Sequence, residues 1–195
     1  MCGVEPSREA VMYARQTFGV NVHRGFLSDQ KFPDGSFDVV CSMDAFLCHT
    51  NPLEDMREFF RILSPSGVLA IEIPGHRFRM LVGSGNLYRW LTGRSLRLNA
   101  GVNFFYYTRE TLSRLAGKCG FELVCSYPED MPRSSSFPGQ LFRSIWDWGA
   151  GALYRLTGGH LNFCAKELCI FRRLECATAS RQVESCAVPA QAFAA

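Results

Sequence analysis

The chain has 195 residues, of which 47% are hydrophobic and 20% are charged, and its formal net charge is +3. This composition is that of one ordinary globular domain, and it excludes a disordered protein. The small net charge gives no dense basic stripe of the kind that binds nucleic acid. The nine cysteines lack the C-x-x-C spacing of zinc or redox sites, so we interpret them as reduced core thiols of a cytoplasmic protein.

The first half of the chain alternates short apolar runs with helical patterns, which predicts a parallel sheet covered by helices. The run FDVVCSM at 37–43 is compact and apolar, and it predicts a strand that is buried on both faces. The predicted elements are a strand at 2–6, a helix at 7–19, a strand at 20–26, a strand at 37–43, a helix at 52–67 that is ended by SPSG (64–67), and a strand at 68–74.

The second half is less regular. Residues 75–106 hold five glycines and five arginines among large apolar side chains, which predicts a lid inserted after a strand. A helix is expected after Thr108 as N-cap, with Thr111, Leu112 and Leu115 facing inward. The other predictions are a strand at 121–128, an irregular segment at 129–160, a final strand at 163–174, one domain over 1–175 and a disordered tail at 176–195.

Residues 25–74, from GFLSDQKFPDGSFDVV to SPSGVLAIEIP, resemble the central block of class I S-adenosylmethionine-dependent methyltransferases of the ubiquinone-pathway type. FPDGSFDVV looks like the family's turn into its fourth strand. The R-x-L-x-P-x-G pattern at 61–67 looks like its turn into the fifth strand. The resemblance implies a Rossmann-like α/β sheet, with S-adenosylmethionine as the cofactor.

The same resemblance implies roles for five residues at the ends of strands. Glu5 would accept hydrogen bonds from the ribose hydroxyls of the cofactor. Phe26 and Leu27 would flank the adenine, and Ser42 and Met43 would lie beside the methionine part. Each assignment has an alternative, since Glu5 could be an acid in a solvated turn, and Phe26 and Leu27 could be ordinary core residues.

One histidine is a candidate general base. Many relatives of the ubiquinone type carry a Glu-His pair at the positions that correspond to Leu47 and Cys48, and His49 falls one place later. A histidine titrates near neutral pH, so His49 could accept a proton. The alternative is a structural histidine that is hydrogen-bonded at the start of a helix. His76 and His160 lie in loops without metal-ligand spacing, so no metal site is predicted.

The family's glycine-rich turn normally lies roughly twenty residues before the acid that ends strand two. Only four residues precede Glu5. We therefore expect an N-terminally truncated sheet that lacks the glycine-rich motif. The unpaired backbone groups of its neighbouring strands would each cost roughly 1–3 kcal/mol.

The resemblance implies O- or C-methylation of a small molecule. The arginines at 75–106 alternate with aromatic and aliphatic residues, which would suit an acidic or amphipathic substrate near a membrane surface. The alternative is that they are solvated arginines over an apolar patch. Two other functions remain, a non-catalytic methyltransferase-like binding module and a nicotinamide-dependent oxidoreductase, and the R-x-L-x-P-x-G turn argues against the second.

Overall fold

The structure is a computed structural model, and it describes residues 1–78, 103–129 and 137–174. Short 3₁₀ turns at Leu27–Gln30 and Phe46–Cys48 supplement the regular elements. The helices and strands are β1 (Gly3–Glu5), α1 (Arg8–Phe18), β2 (Val22–Arg24), β3 (Phe37–Met43), α2 (Pro52–Ile62), β4 (Leu63–Pro74), α3 (Arg109–Gly117), β5 (Phe121–Glu129), α4 (Phe137–Leu156) and β6 (Lys166–Arg173).

The strands form two sheets. β1 and β2 pair in parallel, and the other four strands form a sheet in the order β3-β4-β6-β5. β3 runs parallel to β4, with Val40 beside Leu69 and Met43 beside Glu72. β6 runs antiparallel to both β4 and β5. The predicted α/β class is confirmed, and segments 37–43 and 68–74 are neighbouring parallel strands.

Local sequence signals explain where α1 begins and ends. The Ser7 hydroxyl accepts a hydrogen bond from the Ala10 backbone N–H at 3.3 Å, which satisfies one of the free donors of the first turn. Gly19 ends the helix at φ 63°, a left-handed conformation that glycine adopts without strain. Both positions agree with the predicted helix over 7–19.

The predicted end of the second helix at SPSG (64–67) agrees with the structure, but these residues already belong to β4. α2 ends at Ile62, and Leu63 already pairs with Phe37 as the first residue of β4. Pro65 cannot continue a helix, because it has no N–H and its ring clashes with the preceding turn. A Cβ on Gly67 would lie 2.9 Å from the Ser64 carbonyl oxygen, so the close backbone approach there requires glycine.

One face of the four-stranded sheet carries the core. Leu69 and Ile71 of β4 and Phe171 of β6 are fully buried. α2 contributes Met56 to the same cluster, and α3 contributes Leu112. We refer to this side of the sheet as the covered face.

The prediction that segment 37–43 is buried on both faces is wrong. Val39 and Met43 are 57% and 48% exposed, whereas Ser42 between them is 6% exposed. Tyr127 of β5 lies in register on the same side as Met43 and is 55% exposed. The helices α2 and α3 pack on the other side of the sheet, and β3 is an edge strand with only β4 beside it in the described residues. We refer to the side of Met43 and Tyr127 as the open face.

Three further expectations differ from the structure or lie beyond its description. The segment predicted as irregular contains the helix α4, which continues through Gly149 and Gly151. Thr111 is exposed because its hydroxyl binds the Thr108 backbone N–H in a capping box. Most of the predicted lid and the predicted tail lie outside the described residues.

None of the described helices is long and apolar enough to cross a membrane.

Candidate functional site

Glu5 ends β1 and supports the turn into α1. The Ser7 backbone N–H donates to Glu5 Oε1 at 2.8 Å. Within the described ranges Oε2 makes no hydrogen bond, and the side chain is half-buried. One carboxylate oxygen is therefore committed to the fold, and the other can accept a hydrogen bond from a ligand hydroxyl.

The two residues predicted to flank the adenine have different environments. Phe26 is 64% exposed, and its backbone N–H donates to Asp29 Oδ2 at 2.9 Å. Leu27 is half-buried and packs against the core cluster, so the alternative of a core residue describes it better. Gly25 allows this turn with φ 128°, since a Cβ there would lie 2.9 Å from Gln30 Nε2. The turn presents only Phe26 of the pair to solvent.

Ser42 and Met43 lie on opposite faces of the sheet, because side chains alternate along a strand. The Ser42 hydroxyl is buried on the covered face and has no hydrogen-bond partner in the described residues. The Met43 side chain extends from the open face. The structure therefore does not bring the two side chains together, although both residues lie at the carboxyl end of β3.

An ion-pair bridge joins the carboxyl ends of β3 and β4 on the open face. Lys166 of β6 contacts both the Asp44 and the Glu72 carboxylates. Burial acts against the charge on Lys166, but the hydrogen bonds that Lys166 donates to the two carboxylates outweigh it, so the pKa of Lys166 is raised. The sequence analysis missed this bridge, because Lys166 is far from the other two residues in the chain.

His49 does not lie within a helix. It follows the 3₁₀ turn with φ −73° and ψ 132°, an extended conformation. Its Nδ1 lies 2.9 Å from Asp55 Oδ2 in the first turn of α2, and its ring contacts Phe46 with centroids 5.2 Å apart. This contact fits the structural alternative. It also leaves Nε2 as the ring nitrogen available to a substrate.

A cavity of about 200 Å³ opens at the carboxyl end of β4. Its wall brings together the end of β4, the start of α3, the loop after α4 and the start of β6. The side chains that define it are Ile73, Pro74, Tyr107, Arg109, Asn162 and Glu167.

Glu167 and Ser126 contact the guanidinium of Arg109 at this cavity. Its guanidinium lies 3.8 Å from Glu167 Oε1 and donates to Ser126 Oγ at 3.4 Å. A Cβ on Gly159 would come within 2.9 Å of Arg109 Nη1, and Gly159 also has φ 83°. Glycine at 159 therefore leaves the space that the guanidinium occupies.

Three buried polar atoms of the cavity residues have no hydrogen-bond partner in the part of the chain that is described. They are Tyr107 Oη, Asn162 Nδ2 and Glu167 Oε1. The Asn162 side-chain oxygen accepts from the Cys164 N–H at 2.9 Å, which fixes the orientation of the amide. Burial raises the pKa of Tyr107 to about 12. Burial of each of these atoms without a partner costs about 1–3 kcal/mol.

Residues 1–126 match the family described as "Methyltransferase domain", which is more than half of the chain. The chain belongs to the class I S-adenosylmethionine-dependent methyltransferases. S-adenosylmethionine is therefore the cofactor that the family implies. No curated protein sequence matches the chain.

Solved methyltransferases have a similar fold at low sequence identity. The Haloferax volcanii protein in complex with the Trm112 methyltransferase activator is 18% identical, with a TM-score of 0.57 over 89% of this chain and 72% of its own. A methyltransferase from Archaeoglobus fulgidus is 14% identical, with a TM-score of 0.56 over 88% and 75%. The CalH methyltransferase, solved with S-adenosylhomocysteine, is 15% identical, with a TM-score of 0.54 over 88% and 42%.

The residues of this methyltransferase domain fit the chemistry of its cofactor. Glu5 has a free carboxylate oxygen for a ribose hydroxyl, and Phe26 has an exposed ring that could stack on a base. The buried Ser42 hydroxyl still lacks a partner. Within the described residues no three His, Cys, Asp or Glu side chains are grouped to hold a metal ion.

Proposed function

We propose that the chain is a methyltransferase of the ubiquinone-pathway-like type that methylates an oxygen or carbon atom of a small molecule. The observation that carries this proposal is the cavity at the carboxyl end of β4. In α/β sheets of this kind, ligands bind outside the carboxyl ends of the strands. β3, which ends with Ser42 and Met43, is the parallel neighbour of β4 at that edge.

The proposed cofactor site uses the carboxyl ends of β1 and β3. Glu5 Oε2 accepts from the ribose hydroxyls, and Phe26 covers the adenine while Leu27 anchors its turn in the core. Ser42 and Met43 line the methionine part from the strand end, Met43 with its side chain and Ser42 through its backbone. The free oxygen of Glu5 supports this arrangement.

Methyl transfer needs little covalent chemistry from the protein. When bound, S-adenosylmethionine supplies a methyl group that is already activated on sulfur. The chain holds the acceptor atom in line and excludes water, which accounts for much of the rate enhancement of such reactions. In the proposal His49 Nε2 takes the proton of the acceptor, while Asp55 holds Nδ1 and keeps the ring oriented.

The proposal also includes the location of the enzyme, its partners and the bounds of its domain. We place the enzyme in the cytoplasm with a small-molecule substrate, no nucleic-acid partner and peripheral contact with a membrane. The domain spans 1–175, and the lid at 75–106 is its substrate cover, of which the structure describes only the two ends.

The second candidate function is a non-catalytic methyltransferase-like binding module. The open face favours it, because Val39, Met43 and Tyr127 expose apolar side chains on the same side of the sheet. Exposed apolar patches of this kind often mark protein contacts. Such a module would use the fold for association and would not transfer methyl groups.

Transfer of a radiolabelled methyl group from S-adenosylmethionine to a panel of small hydroxylated, acidic and amphipathic molecules tests the proposal. We expect transfer by the wild-type chain. His49→Gln should lower it by about a hundredfold or more, the usual contribution of a general base. His23→Gln, on β2, is the matched control and should retain activity. Cofactor binding without any transfer would favour the binding module instead.

A further inference from the structure

The helix α4 exposes large apolar side chains along one side. Leu141, Ile145, Trp148 and Leu156 are 55%, 64%, 80% and 85% exposed. Together with Ala152 they lie at steps of three or four residues, which places them on one side of an α-helix. We refer to these five residues as the outer stripe. It is about 22 Å long, since a helix rises about 1.5 Å per residue.

The ion pair of α4 faces the opposite way. Arg143 Nη1 lies 4.0 Å from Asp147 Oδ2, and the Asp147 side chain is only 12% exposed. The Trp146 indole N–H donates to the Phe163 carbonyl oxygen at 3.0 Å, and its ring contacts Phe78. On the surface of a globular protein, a helix normally turns its apolar side to the core and its charged side to water. This inversion indicates that the outer stripe contacts something other than water.

The charges of the chain are unevenly distributed around α4. Residues 73–109 and 131–166 contain ten lysines and arginines and one acidic residue, whereas the rest of the chain contains eleven and seventeen. Both segments adjoin one edge of the sheet, because Pro74 at the end of β4 and Glu129 at the end of β5 both pair with Lys166. Arg155 is exposed beside the outer stripe. The surroundings of α4 therefore match an anionic partner.

A second group of exposed rings lies at the same edge of the sheet. Phe104, Phe105 and Tyr106 are 65%, 38% and 40% exposed. The backbone N–H groups of Phe104 and Phe105 donate to the Leu47 carbonyl oxygen, just beyond the carboxyl end of β3. Aromatic side chains are favoured where an apolar phase meets water. These rings extend the apolar surface beyond α4.

A bilayer suits this surface better than a second copy of the chain does. Stable protein interfaces involve roughly 20–30 residues on each side, and the outer stripe with the three rings supplies far fewer. A bilayer needs no complementary shape. A helix at its surface buries only its apolar side, and basic residues beside that side attract anionic lipid.

We infer that the outer stripe of α4 binds the surface of an anionic phospholipid bilayer, with Trp148 at the centre of the contact and Arg155 beside the lipid phosphates. The inference rests on the membrane contact in the proposed function. It assigns the apolar part of that contact to a helix in the segment that the sequence predicted as irregular. The loop after α4 lines the cavity, so this contact brings the cavity close to the bilayer.

Sedimentation of the whole chain with vesicles tests the inference. The vesicles are phosphatidylcholine alone and phosphatidylcholine mixed with phosphatidylserine. We expect the wild type to sediment with the mixed vesicles, and Trp148→Ala to weaken this binding about tenfold, because one apolar side chain in lipid contributes that factor. Phe18→Ala is the matched control, since it removes an exposed ring at the end of α1. It should bind as the wild type does. No binding to the mixed vesicles, or equal binding of wild type and Trp148→Ala, would overturn the inference.

Two further measurements test the charge and the alternative partner. Arg155→Gln removes one positive charge beside the stripe, and we expect it to weaken binding to the mixed vesicles about fivefold at low salt and less at high salt. Equal binding of Arg155→Gln and wild type at low salt would contradict the placing of Arg155. Sedimentation velocity without vesicles tests for a second copy, and we expect no dimer that depends on Trp148. A dimer that Trp148→Ala dissociates would overturn the inference, because protein would then cover the stripe.

Vesicle binding needs neither the cofactor nor a methyl acceptor, so the inference and the methyltransferase proposal can fail separately. Vesicle binding that depends on Trp148, together with no methyl transfer, would support the inference and contradict the methyltransferase proposal. Methyl transfer together with no vesicle binding would do the reverse.

Discussion

The two faces of the four-stranded sheet have similar apolar side chains but very different environments. On the covered face Leu69, Ile71 and Phe171 are fully buried beneath α2 and α3. On the open face Val39 and Met43 are about half exposed. A run of apolar residues thus does not by itself determine how many faces of a strand are covered. The structure assigns the core to one face and leaves apolar surface on the other.

This contrast separates what stabilises the domain from what is available for contacts. The covered face also carries Glu167 and the cavity, while the open face carries the Lys166 bridge. Substitutions on the first face should change stability or ligand binding. Substitutions at the exposed positions of the second should change the stability little.

Thiol reactivity should show the largest difference between the faces. Cys41 is exposed on the open face, and Cys169 is buried on the covered face. Burial, followed by the charge of Glu167, raises the pKa of Cys169 from 9.0 to about 12. Since the thiolate is the reactive form, ionisation alone slows Cys169 about a thousandfold near neutral pH. Alkylation of the native chain followed by peptide mass spectrometry should label Cys41 first. Comparable labelling of Cys169 before unfolding would contradict the assignment of the covered face.

Truncation of core side chains should give the next largest effect. Phe171→Ala removes a fully buried ring, and we expect it to lower the free energy of unfolding by about 3–5 kcal/mol. Val39→Ala on the open face should change it by no more than about 0.5 kcal/mol. Urea unfolding measures both. A large loss in Val39→Ala would mean that something covers the open face in solution.

The ion-pair bridge on the open face should contribute less to the free energy of unfolding than the buried Phe171 ring does. Lys166→Met leaves the buried Glu72 carboxylate without its cation, and we expect a loss of about 1–3 kcal/mol. Because the pKa of Lys166 is raised, its stabilisation is fully present below the ordinary lysine pKa and is lost as pH rises through the raised value. Urea unfolding should show that the difference in free energy of unfolding between wild type and variant is smaller at strongly alkaline pH than at neutral pH. Lys118→Met, at the exposed end of α3, is the control and should show no such gap.

Tyr107 should give the smallest effect on stability. Tyr107→Phe removes a hydroxyl without a partner, so we expect no loss and a gain of up to about 1 kcal/mol. The pKa of Tyr107 is raised from 10.0 to about 12 by burial. The unfolded chain therefore ionises this tyrosine first, and the wild type should lose stability as pH rises from 10.0 towards 12. A hydrogen bond with Cys125 also raises the pKa of Tyr127, so tyrosinate absorbance should show late titration that Tyr107→Phe reduces by one residue. An unchanged late titration in the variant would contradict this.

The sequence predicts the parts of the fold that depend on local signals. The N-caps Ser7 and Thr108 and the terminator Gly19 have clear local chemistry, and the structure confirms them. The pairing of 37–43 with 68–74 follows from two apolar runs separated by a helix. α4 was missed because glycines inside a helix look like breakers when the packing around them is unknown.

The candidate site is harder to predict than the fold. Glu5 and Met43 could be found because they follow strands in a recognisable block. The Glu167, Asn162 and Tyr107 cluster belongs to no motif, and its members come together only when β6 and the loop after α4 pack against β4. Side chains alternate along a strand, so Ser42 and Met43 must lie on opposite faces. The resemblance assigned both residues to the methionine part without taking this alternation into account.

Binding of S-adenosylhomocysteine, measured by titration calorimetry, tests the central claim most directly. We expect saturable binding to the wild-type chain, weakened about tenfold or more in Glu5→Gln, because a buried ligand hydroxyl loses a charged acceptor. Glu54→Gln should bind as the wild type does. The absence of binding heat at millimolar ligand, or equal affinity of Glu5→Gln and wild type, would contradict the account.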